Sequence, residues 1–88
     1  MNRVEIINAL TDILHKSFHV PKDLCTPDFY DLPLTSERFH FDGGLLLYFF
    51  FEAEKHFSIR IPQGRLDDYR FSSISGMAQI IEECLHDG

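Results

Sequence analysis

The sequence predicts an all-α domain: a four-helix bundle of three main helices and one short helix, with a long first loop. Three observations predict it. Apolar residues recur at helical spacing near residues 3–18, 43–57 and 74–85. Only Ser58 to Ile61 alternates polar and apolar residues, and a single such segment has nothing to pair with. Between the first two periodic segments the chain carries prolines and turn formers instead of sustained periodicity.

The first helix runs from Arg3 to about Phe18. Ile6, Ile7, Leu10, Ile13, Leu14 and Phe18 fall on one stripe, while Asn8, Thr11, Asp12, His15 and Lys16 cover most of the other side. Asn2 is placed to cap it. Val20-Pro21 stops it, because proline disfavours helical geometry in the residue before it.

Residues 20–42 form a long loop. Leu24, Phe29, Tyr30, Leu32, Leu34, Phe39 and Phe41 give it more apolar surface than a disordered linker carries, so it should be ordered. Loops of such length in compact domains often mark function.

Asp42 should cap the second helix, accepting hydrogen bonds from the free amides of its first turn. From there Leu46, Phe49, Phe50, Ala53 and Phe57 make an apolar stripe at i, i+3, i+4, i+7 and i+11. Ile59 and Ile61 read as an extended turn. Leu66 to Phe71 can form the short helix. Ser72 or Ser73 caps the last helix, which turns Ile74, Met77, Ala78, Ile81 and Leu85 inward.

Composition limits what such a bundle can do. The 88 residues make one small domain, 1–88, and nine Phe with three Tyr supply core material without any Trp. A formal charge of −6 argues against nucleic acid, whose phosphates attract basic surfaces. Acidity suits a protein partner with basic character. Two cysteines, Cys25 and Cys84, are too few and too unpatterned for a disulfide framework or a zinc site, and fit partly buried thiols in a reducing cytoplasm. Leu45 to Phe51 is the longest apolar run, far short of the roughly 20 residues that span a bilayer. With no signal-peptide core at the start, the expectation is a cytoplasmic chain with no membrane association.

Chemical motifs are scarce. His15 and His19 are spaced i, i+4 but lack a third ligand, so the expectation is a solvated helix end and no metal. Asp67-Asp68 lacks the alternating oxygen ligands of a calcium loop. No nucleophile–base pair or phosphate loop stands out, and no enzymatic activity is expected.

The order and spacing of other motifs carry more. Val20-Pro21-Lys22-Asp23-Leu24-Cys25-Thr26-Pro27-Asp28, then Phe29-Tyr30-Asp31-Leu32, then Asp42-Gly43-Gly44-Leu45 opening an apolar helix that ends at Phe57, resemble the acyl carrier protein family. The resemblance covers about residues 3–85. The distance from Gly43 to Phe57 equals that from the modified serine to the matching Phe of the family. One departure is that the stretch from Leu32 to Gly43 is several residues longer than the usual spacing. In that family an Asp-Ser-Leu triplet opens the second helix, and 4′-phosphopantetheine is esterified to its serine.

Here the serine position is Gly43, with Gly44 where the family has Leu. Glycine has no hydroxyl, so the resemblance implies a carrier-protein fold in which the phosphopantetheine site is vacant and no cofactor is attached. Ser36 is the nearest upstream serine but lies in the loop. An engineered replacement of a native serine at 43 is a further reading, and a noncovalent anion or coenzyme A end held by the Gly43-Gly44 amides is another, which Asp42 would oppose by competing for the amides and by its charge.

The same resemblance implies a docking site at the start and middle of the second helix. Positions matching Leu47 and Phe51 are apolar docking positions in the family. Asp42 and Glu54 keep acidic character, whereas Leu45, Tyr48 and Lys55 replace positions that are usually acidic. Partner binding is therefore expected through Asp42, Gly44, Leu45, Leu47, Tyr48, Phe51 and Glu54, by burial more than by charge pairing. The alternative is that the longer loop, with Phe39 and Phe41, folds over these residues and covers them. The vacant site and aromatic second helix resemble acyl-carrier-related proteins of bacterial peptide-maturation systems. The implied partner is a biosynthetic or peptide-modifying enzyme, and the chain itself a monomer or weak dimer.

Overall fold

The computed structural model describes residues 2–61 and 72–87. The chain is all-helical there, with α1 at Arg3–Ser17, α2 at Gly43–Phe57 and α3 at Ile74–Asp87, and no strand among the described residues. The short helix expected at Leu66 to Phe71, with Asp67-Asp68, lies outside the described residues.

Each helix start is fixed by a side chain. Asn2 accepts the Glu5 amide at 2.9 Å while the Glu5 carboxylate reaches back to the Asn2 amide, a reciprocal capping box. Ser73 Oγ accepts the Gly76 amide at 3.1 Å at the head of α3. The end of α1 is set differently from the sequence expectation. His19 takes a left-handed conformation (φ 57°), and the amides of Phe18 and Val20 converge on the Leu14 carbonyl, so the helix is already closed before Pro21.

α1 packs against both other helices. Its Ile6, Leu10 and Leu14 are fully buried, with Ile7, Ile13 and Phe18 at the margin. From α2 come Leu46, Phe49, Phe50 and Ala53, and Phe57 is only half-buried. From α3 come Ile74, Met77, Ala78, Ile81 and also Ile80, which the expected stripe omits. α3 buries this wider arc because it meets α1 and is also clasped by the long loop. The Ser75 amide donates to the Tyr30 carbonyl at 2.9 Å, the Ser75 hydroxyl donates to Asp31, and the Leu34 amide donates to the Ser72 carbonyl at 2.6 Å.

The loop is ordered, as its apolar content predicts. It contains two single turns of 3₁₀ helix, at Lys22–Leu24 and Pro27–Phe29, that its sequence did not signal. Its second half, residues 33–41, closes on itself. Ser36 donates to Pro33, His40 donates to Ser36, and Phe41 donates to the Leu34 carbonyl, with His40 in a left-handed conformation. This closure drops Leu34, Phe39 and Phe41 into the core.

Candidate functional site

The start of α2 is built on Asp42. Its backbone is extended, its carboxylate accepts the Leu45 amide at 2.7 Å, and its carbonyl accepts the Leu46 amide at 3.0 Å. One of the amides that an anion would need is thereby occupied, and a carboxylate stands beside the rest.

Gly43 and Gly44 differ in surroundings. A Cβ added at Gly43 would meet nothing within 4 Å, whereas one at Gly44 would lie 3.3 Å from Asp42 Oδ1. Neither glycine has a positive φ. The backbone and the space at position 43 therefore accept a side chain.

Beyond the glycines, α2 carries two apolar stripes. Leu46, Phe49, Phe50 and Ala53 face the core. Gly44, Leu47, Tyr48 and Phe51 repeat the same i, i+3, i+4, i+7 spacing on the outward side. Leu45, Leu47, Tyr48 and Phe51 are 41%, 48%, 60% and 55% exposed. The loop does not cover them, because Phe39 and Phe41 are spent in the core. Two of the exposed rings are braced from below: Tyr48 stands edge-on to Phe18 at 5.9 Å, and Phe51 edge-on to Phe50 at 5.7 Å. Phe18 also meets Phe41 and Phe49, so the ring that closes α1 supports the outer face of α2. Helix periodicity places Phe18 in the core, but this bracing depends on the loop's path and has no local signal.

Glu54, expected in the docking set, accepts the Ile61 amide at 2.8 Å and is half-buried. Its carboxylate secures the chain leaving α2. Of the expected docking residues, Asp42, Gly44, Leu45, Leu47, Tyr48 and Phe51 are exposed on α2, and Glu54 is half-buried with its carboxylate on the Ile61 amide.

The remaining candidates have local partners. His15 is half-buried and not simply solvated: its Nδ1–H donates to the Val20 carbonyl at 2.9 Å. An open cleft of about 240 Å³ brings His15 near Cys25, Asp12 and Lys22. Burial pushes the Cys25 thiol up, away from the thiolate a nucleophile needs. Neither cysteine forms a disulfide. Ser36, the nearest upstream serine, is half-buried with its Oγ enclosed. Among the described residues, no cluster of His, Cys, Asp and Glu could hold a metal ion, and no helix is long and apolar enough to cross a membrane.

A comparison with known protein families, curated proteins and solved structures finds no match to this chain.

Proposed function

We propose that this chain is an acyl-carrier-related protein that is not phosphopantetheinylated, and that it serves as a non-enzymatic docking module for a biosynthetic or peptide-modifying enzyme. On this reading the bundle is the four-helix acyl-carrier type. The reading is supported by one observation: the outward stripe of α2, opening one residue past the position of the family's serine, stays exposed, with Tyr48 and Phe51 braced by ring contacts. Aromatic anchors of that kind, desolvated on contact, are what interfaces use for affinity. Asp42 would supply an acidic contact at the rim. The test is the double variant Leu47→Asp/Phe51→Asp. Both side chains are about half exposed, so the helical circular dichroism spectrum should survive while the complex with the partner enzyme is lost. Unchanged partner capture by the double variant would sink the reading.

A second reading is favoured by the open space at Gly43: a working acyl or aminoacyl carrier whose arm is attached when serine occupies position 43. It predicts that Gly43→Ser gains one phosphopantetheine in intact mass on incubation with coenzyme A and a broad-specificity transferase. No gain beside a modified control carrier would remove it.

A further inference from the structure

The outward stripe of α2 is complementary to itself. In an antiparallel pair of α2 helices with the two-fold axis between Leu47 and Tyr48, Leu47 faces Tyr48 of the second copy and Gly44 faces its Phe51. The largest ring thus meets the position with no side chain, which lets the helices approach closely. The charges agree with the shapes. α2 has no acidic residue in its first turn and ends on Lys55 and His56. The Asp42 carboxylate lies on the Gly44 side of the helix, 3.3 Å from where a Gly44 Cβ would stand. Lys55 continues the outward stripe one turn past Phe51, and all of these residues are exposed. An antiparallel arrangement sets Asp42 of each copy beside Lys55 of the other and opposes the two helix dipoles. A parallel arrangement would place like ends together and Phe51 against Phe51.

We propose that the occupant of this face in the isolated protein is a second copy of the same chain, joined through an antiparallel, two-fold α2–α2 contact. This rests on reading the outward stripe as a contact surface, and it adds regulation to that reading. Self-pairing and enzyme docking use the same side chains and exclude each other, so the dimer is the stored form and the partner releases it as a one-to-one complex.

Sedimentation of the isolated chain over rising concentration, with isotope-filtered NOE spectra on an equal mixture of labelled and unlabelled protein, tests this without any partner. The expected result is a monomer–dimer equilibrium with intermolecular contacts between the Gly44 Hα protons and the Phe51 ring. Leu47→Asp should weaken it by at least about tenfold, the scale of one lost interface anchor. Lys55→Glu, which sets like charges against Asp42, should weaken it as well with the fold intact. A chain still monomeric at NMR concentrations, or a dimer with Phe51–Phe51 contacts, overturns the proposal. A monomer leaves the docking reading standing, whereas a dimer beside failed partner capture removes docking and leaves the pairing.

Discussion

α1 and α2 are each 15 residues long, each opens on a side-chain cap, and each buries one stripe, yet their outer faces differ in character. The outward side of α1 is Glu5, Asn8, Asp12 and Lys16, with Lys16 paired to Asp12 at 3.2 Å. The outward side of α2 is Gly44, Leu47, Tyr48 and Phe51. Folding accounts for the inner stripes of both helices. It accounts for the outer stripe of α1, which water solvates, but not for that of α2, whose apolar groups gain little from a fold that leaves them half exposed. The difference teaches where to look for function: in the residues whose chemistry the fold does not need.

The sharpest way to break this comparison lies within α2. Phe49 and Phe51 are the same residue two positions apart, one fully buried and the other 55% exposed. Phe49→Ala should cost about 3–5 kcal/mol of stability, the usual loss for a fully buried phenylalanine. Phe51→Ala should change stability by about 0.5 kcal/mol or less, since more than half of its surface stays in water. Urea unfolding of the two variants measures both. Equal losses would mean that the outer stripe is structural after all, and the contrast with α1 would collapse.

Much of this contrast is legible in the sequence. The buried stripes of α1 and α2, the caps at Asn2 and Asp42, and the surplus of apolar groups at Leu45, Leu47, Tyr48 and Phe51 follow from periodicity and hydrogen-bonding chemistry, which are local. Whether that surplus is open or covered was undecided, because the answer depends on where Phe39 and Phe41 go. Their burial is fixed by hydrogen bonds between Leu34 and Ser72 and between Leu34 and Phe41, contacts that no local pattern encodes. The hydrogen bond that Glu54 makes is hidden for a similar reason. On a helix wheel Glu54 is a surface acid, and only the turn after Ser58 brings the Ile61 amide to it. Ile80 is buried because loop and helix approach α3 from different sides, again a tertiary fact.

A middle-sized effect separates the two helix starts. Removing either cap, by Asn2→Ala or Asp42→Ala, should cost about 1 kcal/mol. At α2 there is a further distinction between adjacent glycines. Gly43→Ala should be neutral to stabilising, by up to about 0.5–1 kcal/mol, because the added methyl meets open space and the unfolded chain loses freedom. Gly44→Ala should gain less, since its methyl presses on the capping carboxylate at 3.3 Å. Thermal unfolding ranks the four variants. A larger gain at Gly44 than at Gly43 would show that the carboxylate moves freely and that the cap is weaker than its 2.7 Å bond implies.

The smallest effect belongs to a polar pair between α1 and α3. Arg3, on the side of α1 that meets α3, reaches Glu82 at 2.8 Å. The hydrogen bond from Arg3, aided by its charge, holds the Glu82 carboxyl below its ordinary value of 4.5. A carboxyl whose pKa is lowered by folding adds stability above its unfolded pKa and loses it as pH falls through the folded one. The pair is partly exposed, so its contribution is small and reduced by salt. Glu82→Gln should therefore unfold slightly more easily than the parent near neutral pH, and the gap should close as the pH drops through the carboxylate range. Urea titrations of both proteins at neutral and acidic pH, at low salt, read this directly. A gap that persists at acid pH would mean that Glu82 acts through packing rather than charge. This polar contact between α1 and α3 would then hold the fold together in the same way as the apolar residues beside it.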